Sequence, residues 1–188
     1  MYTLCVTEKT AEQQKIFEQT FLQMILEGHY DEITISDLCR KAGLSRKIFY
    51  RLFEKKADVL NALIDHTIME SDYYVPDESV APGELHRFFA FWQTQKPLLD
   101  ALLKHNNSMF LTNRAISFAF REEGSPVRLF GNDEVKGSQE AIVYYMSGMF
   151  SLLLSWHAQD FEKSIDEMAK LTLYLLTTPA FTETPKFP

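Results

Sequence analysis

The chain is expected to be all-α, with about nine helices: a three-helix unit containing a helix-turn-helix, then a larger helical body. Three observations point there. Apolar side chains recur at i, i+3, i+4 and i+7 through most of the 188 residues. No stretch alternates apolar and polar residues as a half-buried strand would. Residues 34–53 read as two short capped helices joined at Gly43.

Glu8 to Glu27 forms the first helix, with Ile16, Thr20 and Met24 and their neighbours Phe17, Phe21 and Ile25 as its inward side. The second starts at Thr34. Its hydroxyl can accept the N–H of Asp37 while Asp37 reaches back, a capping box in which Asp replaces the usual Glu. Ile35, Leu38, Cys39 and Ala42 then make one apolar stripe, and Asp37, Arg40 and Lys41 turn outward. Gly43 ends this helix because the chain needs a left-handed residue there. Ser45 caps the third helix, which buries Leu44, Phe49, Leu52 and Phe53 and leaves Arg46, Lys47, Ile48, Tyr50 and Arg51 on or near its outer side. A helix pair of this form presents a rigid rod to the major groove of DNA.

The charge distribution agrees. From Arg40 to Lys56 there are seven cations (Arg40, Lys41, Arg46, Lys47, Arg51, Lys55 and Lys56) against the single anion Glu54. Residues 1–60 hold nine basic and nine acidic groups, so the whole net charge of −7 falls on residues 61–188. One basic face on an acidic body attracts phosphate to that face alone.

Several segments together resemble the DNA-binding domain of the tetracycline-repressor (TetR) family of bacterial transcription regulators. They are Ile33-Thr34-Ile35, Ala42-Gly43-Leu44-Ser45, Phe49-Tyr50-Arg51-Leu52-Phe53 and Lys55-Lys56-Ala57-Asp58-Val59-Leu60. The resemblance implies that Thr34, Tyr50 and Lys56 grip phosphates and that Ser36, Arg46, Lys47 and Ile48 face base edges. Ser45, Arg51 and Lys55 complete the expected DNA-binding set. Leu52 stands where the family often has His, and adjacent Arg51 is the candidate substitute. Ile48 stands where it often has Thr, so a thymine methyl would be read by apolar contact. His29 separates Gly28 from Tyr30, where the family commonly has Gly followed directly by an aromatic residue.

A fourth helix is expected from Lys56 to about Tyr74, then a loop over Val75–Gly83 rich in turn residues. Leu85, Phe88, Phe89 and Trp92 mark a fifth helix, and Pro97 suits the first turn of a sixth running through Leu103 or a little beyond. A seventh spans about Ser108 to Phe120, and a second loop begins at Arg121 and runs to about Gly137. Ala141 to Gln159 contains no Asp, Glu, Lys or Arg. Its serines, glycine, His157 and Gln159 make it too polar for a membrane span, so it is read as a helix buried on most sides. Ser147, Ser151 and Ser155 recur every four residues and would let another helix approach closely. The resemblance implies that residues 138–159 and 164–176 pair with their mates in a homodimer, giving a four-helix interface. Two recognition helices related by symmetry would read a pseudo-palindromic operator.

The expected division is a DNA-binding domain at 8–55, a regulatory and dimerisation domain at 56–178, and a C-terminal tail at 179–188. The expected function is a transcriptional regulator, a repressor released by a small apolar ligand. The alternative is a regulator of the same fold controlled by a partner protein, or an activator. The resemblance also implies a ligand pocket in the body. Phe89, Trp92, Phe110, Phe118, Met146 and Phe150 are its candidate lining, and a hydrophobic or aromatic compound would fit it.

Nothing points to an enzyme, a cofactor or a metal. There is no phosphate-cradling glycine loop, nucleophile elbow or recognisable carboxylate pair. His66 and Glu70 sit at i, i+4 without a third ligand and read as a solvated helix face. Cys5 and Cys39 are too few for a disulfide framework, no signal peptide is visible, and the composition is that of a cytoplasmic protein.

Overall fold

The computed structural model describes residues 8–28, 30–73, 83–104, 108–120 and 139–177. Among them are nine α-helices and no strand: α1 (Glu8–Glu27), α2 (Ile35–Ala42), α3 (Arg46–Leu52), α4 (Lys56–Tyr73), α5 (Glu84–Thr94), α6 (Lys96–Lys104), α7 (Ser108–Ala119), α8 (Gln139–Ala158) and α9 (Ile165–Thr177). A 3₁₀ turn at Tyr30–Glu32, which the sequence reading did not anticipate, follows α1. The loops expected over Val75–Gly83 and residues 121–137 lie outside the described residues, except Gly83, which precedes α5. The tail at 179–188 also lies outside them.

The chain divides into two compact units: residues 1–70 with 96–118, and residues 71–95 with 119–188. In the first, α1 packs on α2, α3 and α6. Its centre is aromatic. Phe17 meets Phe49 and Phe53 edge to face at 5.5 and 6.0 Å, and all three rings are buried. Such pairs contribute roughly 0.5–1.5 kcal/mol each beyond the area they bury. The inner face of α1 is Gln14, Phe17, Glu18, Phe21 and Ile25. Ile16, Thr20 and Met24, expected on that side, are only half-buried.

Two polar residues replace them because each has work there. Glu18 is buried and its carboxylate oxygens lie 3.0 and 2.9 Å from Nδ1 of His66 on α4. His66 is therefore a half-buried partner of α1, not the solvated side chain expected from its spacing with Glu70. Burial, the largest influence, pushes the Glu18 carboxyl up against the pull of His66, while the hydrogen bond from Glu18 raises the His66 pKa. Nearby, Arg114 of α7 grips the buried Asp65 of α4 through both guanidinium edges. Lys104 at the end of α6 donates to the Leu26 carbonyl of α1 (3.1 Å).

In the second unit α5 packs on α8 and α9. Phe88, Phe89, Trp92, Phe150, Trp156 and Phe161 form a continuous aromatic cluster with ring separations between 4.6 and 6.3 Å. One side of α8 is buried, through Ile142, Met146, Met149, Phe150, Leu153, Trp156 and His157. The expectation of burial on most sides is corrected here: Val143, Tyr144, Gly148, Ser151 and Ser155 are exposed. Between α8 and α9 the chain reverses through Asp160 and Phe161, both left-handed (φ 50° and 58°) without being glycine. That conformation costs about 1–3 kcal/mol per residue and persists only where the surroundings enforce it. Here the Phe161 N–H donates to the Trp156 carbonyl (3.0 Å), its ring packs on Trp156 at 4.6 Å, and the Trp156 indole donates to the Lys163 carbonyl (2.8 Å). A complete capping box follows. Ser164 Oγ accepts the Glu167 N–H, and Glu167 Oε2 accepts the Ser164 N–H at 2.8 Å. No described helix is long and apolar enough to cross a membrane.

Candidate nucleic-acid interface

Local chemistry fixes the two short helices. Thr34 caps α2 by accepting the Asp37 N–H (3.1 Å), and its hydroxyl donates to Asp37 Oδ2 at 2.6 Å. Asp37 therefore takes the Thr34 hydroxyl proton, a variation on the expected box, and its other oxygen pairs with Arg40. Leu38 and Cys39 are buried and Ile35 and Ala42 half-buried, as the apolar stripe requires. Burial pushes the Cys39 thiol up, away from the reactive thiolate.

At the C-terminal end of α2, Gly43 is left-handed (φ 67°), its N–H donates to Arg40, and the Leu44 N–H donates to Cys39. This Schellman pairing satisfies two carbonyls that the helix end would otherwise leave open. Ser45 then caps α3 by accepting the Ile48 N–H at 3.3 Å.

The rotation of α3 follows from its three apolar anchors. Phe49, Leu52 and Phe53 are buried, so Arg46, Lys47, Tyr50 and Arg51 are held in solvent, with Tyr50 55% exposed. Leu44 and Ile48 are half-buried at the edges, and Ser36 and Ser45 are exposed beside them. Leu52 leaves no polar group at its position.

The cations are not equivalent. Arg40 is paired with Asp37, Lys41 with Glu27, and Arg51 donates to Gln13 of α1 at 2.6 Å. Lys56 is the most committed. Its ammonium donates to the carbonyls of Tyr30, Asp31 and Ile33 at 2.8, 3.0 and 3.1 Å and lies 4.7 Å from the Tyr30 ring centroid. An ammonium has three protons, and these three carbonyls use them all. Lys56 thus ties the 3₁₀ turn to α4, a role that its position in the sequence did not reveal. Beside it, the buried Asp58 carboxylate accepts the N–H groups of Glu54 and Lys55, both at 3.1 Å, and caps α4. Arg46, Lys47 and Lys55 are exposed and form no ion pair among the described residues. What remains is an open basic face on a short helix, set on a rigid aromatic base.

The six residues expected to line a ligand pocket do not share one unit. Phe110 and Phe118 belong to the unit with α1, while Phe89, Trp92, Met146 and Phe150 lie buried in the unit of α5, α8 and α9. Among the described residues no group of three or more His, Cys, Asp or Glu side chains is placed to hold a metal ion.

Residues 22–63 match the model of the bacterial regulatory proteins of the tetR family, a span from the middle of α1 through α2 and α3 into α4. No curated protein and no solved structure matches the chain. The matched span contains both capped helices, the Gly43 turn and the open basic face. The chain therefore belongs to the tetR family of bacterial regulatory proteins and is a DNA-binding transcriptional regulator.

Proposed function

We propose that the protein is a repressor that binds a pseudo-palindromic operator in the cytoplasm as a homodimer, and that a small, apolar ligand releases it. The observation that carries the DNA reading is the outward face of α3, where Arg46, Lys47 and Tyr50 stand exposed above buried Phe49, Leu52 and Phe53. Arg46 and Lys47 have the reach and hydrogen-bond donors to read guanine edges. Ser36 and Ile48 flank them. Thr34, Ser45, Tyr50, Arg51 and Lys55 are assigned to the sugar-phosphate backbone, where contacts position without specifying. Lys56 is assigned to the fold instead, because its donors are already used. In functional terms residues 8–55 address DNA and residues 56–178 regulate and dimerise.

The dimer reading is supported by what α8 and α9 leave uncovered. Tyr144, Gly148, Ser151 and Ser155 lie on one exposed stripe of α8, and Leu171, Tyr174 and Leu175 on one exposed stripe of α9. An isologous interface hides such a surface on both copies at once. The ligand reading is supported by the buried aromatic cluster around Phe89, Trp92, Met146 and Phe150.

Selection of bound sequences from random DNA tests the whole reading. A palindromic consensus with half-sites about one helical turn apart is expected. Recovery of no consensus, or of a single unrepeated half-site, would refute it. A gel-filtration mass of one chain at micromolar concentration would refute the dimer.

A further inference from the structure

Two tryptophans stand in the aromatic cluster, and only one has its indole N–H satisfied. Trp156 donates to the Lys163 carbonyl at 2.8 Å. Trp92 is fully buried and its Nε1–H has no acceptor. On α9, Thr172 is also fully buried and its hydroxyl is unpaired. That is unusual for a helical threonine, which ordinarily bonds back to its own helix, as Thr67 does to the Leu63 carbonyl at 2.8 Å. Each unpaired buried group costs about 1–3 kcal/mol, so native proteins seldom keep two without a purpose.

The packing puts these two groups at one level. Phe89 lies against Trp156, and both Phe88 and Trp92 lie against Phe150, so α5 runs opposite to α8. The tight corner at Asp160 and Phe161 turns α9 back, and His86 near the start of α5 meets Asp166 near the start of α9 at 3.2 Å. α5 and α9 therefore run side by side in the same direction. Six residues beyond that pair, about 9 Å at 1.5 Å per residue, Trp92 and Thr172 come level with each other and with Phe150. They do not bond to one another, so an oxygen between them could accept from the indole and pair with the hydroxyl.

We propose that Trp92 and Thr172 are the polar anchor of the ligand site, and that the ligand is a neutral aromatic compound bearing a hydrogen-bond-accepting oxygen such as a ketone. The aromatic body suits Phe88 and Phe150. The oxygen is uncharged because the unit buries no Lys or Arg among the described residues, and a carboxylate without a cation would be strongly disfavoured. This inference rests on the reading that a small ligand controls DNA binding.

The test uses three probes of matched size: 2-acetonaphthone, 2-isopropylnaphthalene and 2-naphthoate. With two tryptophans in the chain, a nitrogen-15 correlation spectrum resolves two indole N–H signals, and Trp92→Phe assigns them. The ketone is expected to move the Trp92 signal downfield and leave that of Trp156 in place. Calorimetry should give roughly tenfold tighter binding for the ketone than for the hydrocarbon, with the carboxylate weakest. The preference should fall to about twofold or less in Trp92→Phe and weaken about threefold or more in Thr172→Val. Equal affinity for ketone and hydrocarbon, preference for the carboxylate, no ketone binding, or an unmoved Trp92 signal would each overturn the proposal. So would a marked loss of thermal stability in unliganded Thr172→Val, since the hydroxyl would then be serving the fold. Ketone bound at Trp92 without any change in operator binding would refute ligand control while leaving the site intact.

Discussion

Replacing Lys56 with Met separates a structural lysine from a phosphate-gripping one. Met keeps most of the aliphatic stem and removes the ammonium, so the carbonyls of Tyr30, Asp31 and Ile33 each lose a charge-assisted hydrogen bond. A hydrogen bond to a charged group is worth roughly 1.5–3 kcal/mol when desolvated. The Asp31 contact is exposed and those to Tyr30 and Ile33 only part-buried, so water recovers much of that value. Adding about 0.5–1 kcal/mol for the Tyr30 ring, the expected total is about 2–3 kcal/mol. For a chain of this size each kcal/mol moves the melting temperature by about 2–4 °C, so a fall on the order of 4–12 °C is expected by calorimetry. The second measurement is the salt dependence of operator affinity at a temperature where the variant is folded. A phosphate contact would lower the slope of log K against log salt by about 1, whereas the clamp predicts an unchanged slope. An unchanged melting temperature with a reduced slope would refute the structural assignment.

Other outcomes follow from the same geometry. Lys47→Ala should cost about 1–3 kcal/mol and relax preference at one operator position, whereas Tyr50→Phe should weaken all sequences alike; binding arrays over single-base operator variants distinguish the two. Gly43→Ala should destabilise by about 1–2 kcal/mol in urea titration, through the left-handed backbone alone, since a Cβ there meets nothing within 4 Å. The His66 and Glu18 pKa values are both raised in the folded state, so the native protein holds protons that the unfolded chain releases. Stability from His66 is full below about pH 6.5, and that from Glu18 below about pH 4.5; each is lost as pH rises through the group's folded value. Urea midpoints should therefore fall as pH rises through neutrality, and the His66→Gln variant should flatten that upper limb.

The α2 stripe, the Gly43 turn and the two caps were legible because each depends on residues no more than five positions apart. The inner face of α1 was misread for the opposite reason. Gln14 and Glu18 look solvated by periodicity, and only the arrival of His66, 48 residues later, makes a buried Glu18 tolerable. Lys56 shows the same limit. A cation in a basic run reads as open until the 3₁₀ turn brings three carbonyls to it. On α8 the lack of charge was taken as burial, yet Tyr144, Gly148, Ser151 and Ser155 are exposed, because an uncharged face can await a partner as well as a core. Nor did the sequence reading foresee that α6 and α7 belong to the same compact unit as the DNA-reading helices.

The corner at Asp160 and Phe161 bears on how two copies would meet. A reversal held by two strained residues, two backbone-directed hydrogen bonds and a stacked ring is already formed in the single chain. In the proposed homodimer the α8–α9 hairpin then docks as a finished surface, with little ordering left to do on contact. Association of that kind is an encounter between rigid bodies. Its rate should track diffusion and orientation, and its lifetime the quality of the fit.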